Sequence, residues 1–129
     1  MTEKIASDLR LVDSSGWLEY ITADTKADAF APYLEGSRQL LVPTIVLYEV
    51  YKRLTQMRGK TEAERFASHA LRQSIVELDE DLALSAAKIS LVHRLAMADA
   101  VIYATALALH AELVTSDQAF SGLTGVTLL

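Results

Sequence analysis

Cysteine is absent from the 129 residues, which excludes disulfides and thiolate zinc sites. Two prolines and five glycines are too few for a loop-rich or all-β protein. Long hydrophobic runs are missing too. The longest, 95–109, is interrupted by Asp99 and is too short to span a bilayer. The start of the chain mixes Glu3, Lys4, Asp8 and Arg10 and has no apolar targeting core. Positive charge is in deficit, with 12 Lys and Arg against 17 Asp and Glu, for a net charge of −5. Phosphate contacts come from Lys and Arg, so a nucleic-acid role requires a local basic patch or metal ions that offset the acids. What remains is a chain that is 51% hydrophobic and 22% charged. Such a composition buries a real core and predicts one soluble domain over residues 1–129, with no membrane association. The lack of cysteine is compatible with a cytoplasmic location.

Apolar periodicity and turn residues divide the chain into alternating elements. A strand is expected at 9–13, then a helix opened by Ser14, Ser15 and Gly16. A short helix at 26–34 contains Pro32, which ends or kinks it. A strand at 39–42 leads into a long helix at 45–57, with Thr44 as its N-cap and Gly59 as its stop. The pair Thr61 and Glu64 reads as a capping box opening a helix at 61–73. Further elements are a strand at 74–78, helices at 81–93 and 97–110, a strand at 112–115, a helical turn at 117–120 and a last strand at 126–129. Strands alternating with helices predict an α/β protein with a mainly parallel sheet covered on both faces. Ligands of such sheets bind beyond the carboxyl ends of the strands.

Acids in polar company, such as Glu3, Asp24, Asp28, Glu35, Glu62, Glu64, Asp79, Glu80 and Asp81, read as solvated surface. Four others lie in apolar company or at a strand end. Asp13 ends the first strand, where capping the next helix is the plain alternative. Glu49 is the only charge in Pro43-Thr44-Ile45-Val46-Leu47-Tyr48-Glu49-Val50-Tyr51, a segment expected to be largely buried. Its plain alternative is a wet stripe or a pair with Lys52 or Arg53. Asp99 is the sole charge of 95–109, where its alternative is again an N-cap. Asp117 follows the fourth strand and has the same alternative. Together the four acids belong to the carboxyl edge of one sheet, where their repulsion would raise each other's pKa. A divalent cation removes that penalty. Oxygen-only ligands favour Mg²⁺ or Mn²⁺ over zinc.

Four elements in order resemble the PIN-domain family over nearly the whole chain. They are Leu11-Val12-Asp13-Ser14-Ser15-Gly16-Trp17-Leu18, the Glu49 segment above, Met97-Ala98-Asp99-Ala100-Val101, and Thr115-Ser116-Asp117-Gln118-Ala119-Phe120. Ser14 stands where that pattern more often has Thr. The resemblance implies a three-layer α/β/α sandwich and metal-dependent RNA cleavage leaving 5′-phosphate and 3′-hydroxyl ends. The compact size is similar to VapC-type toxins, which pair with a small VapB-type antitoxin and form homodimers.

On this reading Asp13, Asp99 and Asp117 hold one metal ion, directly or through water, and Glu49 completes its surroundings or serves a second ion. Ser14 and Thr115 orient the carboxylates. Lys52, Arg53 and Arg94 are the candidate phosphate contacts, with Arg58 and Lys60 nearby in sequence. Trp17, Tyr48, Tyr51 and Met57 are candidates for an apolar groove that takes an antitoxin helix. Two rivals fit poorly. A receiver domain wants a lysine late in the chain, whereas the last is Lys88. A haloacid-dehalogenase-type phosphatase wants Asp-x-Asp after the first strand, where Asp13 is followed by two serines. A PIN nuclease of general RNA processing, or a non-catalytic PIN-fold binding module, is the nearer alternative.

Overall fold

The computed structural model describes residues 8–36 and 39–129. Glu3 and Lys4 lie outside these residues. Five short strands, β1 (Leu9–Val12), β2 (Gln39–Pro43), β3 (Ser74–Val76), β4 (Glu112–Thr115) and β5 (Val126–Leu128), form one sheet. Their order is β3-β2-β1-β4-β5, and every pairing among the described residues is parallel. Six helices connect them: α1 (Ser14–Ile21), α2 (Ala27–Glu35), α3 (Thr44–Arg58), α4 (Lys60–Ala70), α5 (Glu80–His93) and α6 (Met97–Ala108). The chain steps outward from β1 to β2 to β3, then crosses back to β4. Right-handed crossovers therefore put the helices before and after that reversal on opposite faces, which gives the α/β/α sandwich.

The strands are nearly all apolar because both of their faces are covered. Leu11, Val12, Val42, Leu113 and Val114 are fully buried between the helical layers. The helix α6 is buried from Ala100 to Ala106, and its two hydroxyls there are satisfied: Thr105 donates to the Val101 carbonyl and Tyr103 to the Thr124 carbonyl, each at 2.8 Å. Among the described residues no single helix is long and apolar enough to cross a membrane.

Several helix ends differ from expectation. Pro43, not Thr44, is the N-cap of α3. The capping box at Thr61 and Glu64 does not form. Gly59, at φ 95°, turns the chain sharply, so α4 starts one residue earlier, and Glu64 accepts from the Tyr51 hydroxyl instead. Helix α4 ends at Ala70, not Gln73. Asp79 caps α5 through the Leu82 amide at 2.9 Å. Pro32 lies inside α2 and does not end it.

Gly16 is required by packing at the first turn of α1. A Cβ there would lie 2.5 Å from Val12 Cγ1 and 2.6 Å from Phe30 Cε1. Both neighbours are fully buried, so neither can yield cheaply. Gly16→Ala is expected to lower stability by about 1–3 kcal/mol in urea unfolding. An unchanged or raised midpoint would show that the β1–α1–α2 junction is looser than described.

Candidate functional site

The sheet reverses its strand order between β1 and β4, and that switch point is where an open α/β sheet forms its crevice. Both strands deliver an acid there. Asp13 follows β1 directly, and its amide donates to the Val114 carbonyl at 3.2 Å, tying the two strand ends together. The Asp13 carboxylate is 3% exposed yet fully partnered. It accepts from the Gly16 amide at 3.0 Å, from Ser15 Oγ at 2.9 and 3.1 Å, and from Thr115 Oγ1 at 2.7 Å. The capping role considered for it is therefore real, and it coexists with membership of the site.

The other acids arrive from separate elements. Asp117 follows β4 and caps the short 3-10 turn Gln118–Phe120 through the Ala119 amide at 2.9 Å. Its own amide donates to Thr115 Oγ1 at 2.9 Å, so one threonine links Asp13 and Asp117. Asp99 is not a cap, because Ala96 holds that position and Asp99 sits in the first turn of α6. Glu49, in the second turn of α3, is half-buried rather than largely buried. Ser14 Oγ donates to it at 2.6 Å.

All four acids line one cleft of about 460 Å³, together with Ser14, Ser15, Leu18, Tyr48, Lys52, Arg53, Gln56 and Ile102. Ser14 and Thr115 hold the carboxylates expected of them. Lys52 and Arg53 reach the cleft because 49, 52, 53 and 56 form one stripe of α3. Arg94 does not line it. It ends α5 in a left-handed conformation at φ 57°, which directs the chain into α6. Arg58 is also elsewhere, paired with Glu62 at 3.7 Å. Sequence reasoning missed Ser15, Tyr48 and Gln56 as members of the cleft. Ser15 could have been found from its spacing two residues after a strand-ending Asp, and Gln56 from the helical stripe.

Convergence leaves an electrostatic mark. Asp99 is pushed up to about 6, first by burial and then by the charges of Asp117, Asp13 and Glu49. Burial also raises Asp13, against the hydrogen bonds from Thr115, Gly16 and Ser15 that favour its charged form, and Asp117 adds to the rise. Among the described residues, however, no group of three acids or histidines is drawn in closely enough to hold an ion as a finished ligand set. Two physical facts account for this. Like charges stay apart without a cation between them, and Asp13 has both oxygens engaged by hydroxyl and amide donors. The donor set still fits a hard divalent ion in kind: it is oxygen-only and anionic, and such an ion keeps several waters among its ligands.

Small three-layer α/β/α proteins that gather acids beyond the carboxyl ends of parallel strands form a recognisable class, and this chain is one of them. A family model described as PIN domain matches residues 10–125, and the chain belongs to that family. Among curated proteins, no sequence matches this chain. Several solved structures share the fold. A toxin–antitoxin complex from Klebsiella pneumoniae superposes with a TM-score of 0.78 at 21% identity, covering 92% of this chain and 95% of that one. VapBC2 from Rickettsia felis, bound to a DNA fragment from its promoter, gives 0.73 at 16% identity, covering 94% and 97%. Mycobacterium tuberculosis VapC20, described as a sarcin–ricin loop cleaving toxin, gives 0.72 at 20% identity, covering 89% and 91%.

The coupled acids predict a pH signature in chelator-containing buffer. Asp99 holds a proton in the folded protein at pH values where the unfolded chain, near 3.8, has lost it. Its contribution to stability is thus fully present below 3.8 and lost as pH rises through about 6. Discounted for the solvent that reaches this half-buried group, the loss is about 1 kcal/mol. In urea titrations from acid to neutral pH, Asp99→Asn should gain on wild type by about that amount. A constant difference between the two would mean that the carboxylates do not sense one another.

Proposed function

We propose that this protein is a Mg²⁺- or Mn²⁺-dependent endoribonuclease, the toxin of a VapBC-type toxin–antitoxin pair, acting in the cytoplasm. The observation that carries this reading is the meeting of Asp13, Glu49, Asp99 and Asp117, from four separate segments, in one cleft at the sheet's switch point. Membership of the PIN family and the likeness to VapBC toxins support it. When bound, the divalent ion would polarise a phosphodiester and lower the pKa of an attacking water.

The chain's own residues would do the rest. Asp13, Asp99 and Asp117 would hold the ion, with Glu49 on the α3 side of the cleft. Thr115 and Ser15 fix the rotamer of Asp13, and Ser14 fixes that of Glu49. Lys52 and Arg53 would draw the RNA phosphates onto a cleft that otherwise repels them.

An antitoxin helix has a surface to occupy. Leu47, Tyr51, Phe66, Ala67 and Leu71 line an almost wholly apolar groove that shares Tyr48, Lys52 and Gln56 with the acid cleft. A partner seated there would border the substrate path. Of the four residues first considered for such a groove, Tyr48 and Tyr51 line it, Trp17 is buried elsewhere, and Met57 lies outside it. Helix α5 exposes Leu84, Leu91 and Val92, and it is our candidate for the homodimer contact. A PIN nuclease of general RNA processing would keep the same chemistry without the antitoxin. An adjacent reading frame for a small DNA-binding protein separates the two. A non-catalytic binding module has no use for four acids gathered in one cleft, where the charges of the other three help to raise Asp99.

Purified protein is expected to cut RNA with Mg²⁺ or Mn²⁺ and to stop in EDTA. Asp13→Asn and Asp99→Asn should reduce cleavage to background while keeping the far-UV circular dichroism. Thr115→Val should lower activity or ion affinity by about 10–100-fold. Undiminished cutting by both Asn variants would remove the cleft from the chemistry.

A further inference from the structure

The cleft carries one feature that ion binding does not use. Tyr48 is 59% exposed on its wall, although a ring of that size is normally packed away. Its neighbour one turn on, Lys52, places Nζ 3.4 Å from the Tyr48 hydroxyl and 5.5 Å from the ring centroid. Lys52 and Arg53 are the two cations lining this otherwise acidic cleft. The stripe that holds them rises about 6 Å from Glu49 to Arg53. An aromatic face, one carboxylate and two cations therefore follow one another along a single helix, opposite the three aspartates that line the same cleft.

We propose that Tyr48 is a stacking platform: its ring takes an unpaired base of the RNA strand while Lys52 and Arg53 hold a phosphate beside it. The proposal rests on the ribonuclease reading of the same cleft. Bases in a duplex already stack on one another, and a protein ring reaches a base face only where the strand is unpaired and splayed. Stacking on a tyrosine is tolerant of base identity, because every base offers a π-face. The platform thus selects for unpaired structure around the cut rather than for a sequence. Lys52 contributes twice, once as a phosphate contact and once by lying over the Tyr48 ring, a contact that does not need the hydroxyl. Tyr48 also borders the apolar groove, where a protein segment could use the same ring. The cleft side of the ridge favours RNA, because the second cation, Arg53, lines the cleft and not the groove.

The test uses the full chain carrying Asp99→Asn, so that RNA stays intact, and a single-stranded RNA oligonucleotide labelled with 2-aminopurine. Binding should quench the label when Tyr48 is present. Tyr48→Phe should retain both quenching and affinity, because it keeps the ring face. Tyr48→Leu should abolish quenching and weaken binding by about tenfold, the scale of one base–aromatic stack. A fully paired duplex of the same sequence should bind no differently to Tyr48→Leu. Equal quenching and affinity in Tyr48→Leu would overturn the proposal and leave Tyr48 to a protein partner in the groove. Equal losses in the Phe and Leu variants would overturn it as well, since the hydroxyl and not the face would then matter. Failure of the Asp99→Asn protein with Tyr48 intact to bind RNA of either form would instead count against the ribonuclease reading itself.

Discussion

A carboxylate almost wholly removed from water organises this molecule. Asp13 is tolerated in the interior because two hydroxyls and an amide donate to it, from Ser15, Thr115 and Gly16. Those donors come from β4 and from the first turn of α1, so satisfying one charge fixes how β1, α1 and β4 meet. The same residue ties its backbone to Val114 and caps α1. Gly16 completes the junction, because only a residue without a side chain lets α1 sit against Val12 and Phe30 while its amide reaches the carboxylate. The geometry of the cleft is thus built from the same contacts that hold the first third of the fold together.

The cleft is divided by charge. Acids project from β1, β4, α3 and α6, while Lys52 and Arg53 follow Glu49 along α3. This division answers the difficulty raised by a chain of net charge −5. A polyanion is repelled by the molecule at large but meets cations beside the carboxylates, and a divalent ion among the acids would offset their charge. The apolar groove on the other side of the ridge shares Tyr48, Lys52 and Gln56 with the cleft. One helix stripe therefore joins the acid cleft to the apolar groove.

Much of this was legible beforehand. The alternation of buried strands and apolar helices fixed the class of fold, and all five strands and six helices fall within a few residues of their expected places. Glu49 and Asp99 stood out because a charge within an apolar run must have a partner or a function, and Asp13 and Asp117 because they follow the carboxyl ends of strands. Less legible were the helix starts at Thr44 and Thr61. Local capping preferences there lost to the turn at Gly59 and to the entry angle set by Pro43. Arg94 was misread for a related reason: nearness in sequence to Asp99 says little when α5 and α6 meet at a sharp bend.

The sequence by itself determined the periodicity, the element order, and which charges were out of place, because these follow from local side-chain chemistry and the pitch of helix and strand. Tertiary structure alone decided that Thr115 reaches Asp13, that Asp13 and Asp117 share one cleft, and that Tyr48 stands open on the cleft wall. Those contacts join residues about a hundred positions apart, or depend on which side of a helix is left uncovered. Only the closing of the parallel sheet and the packing of its helices sets such distances.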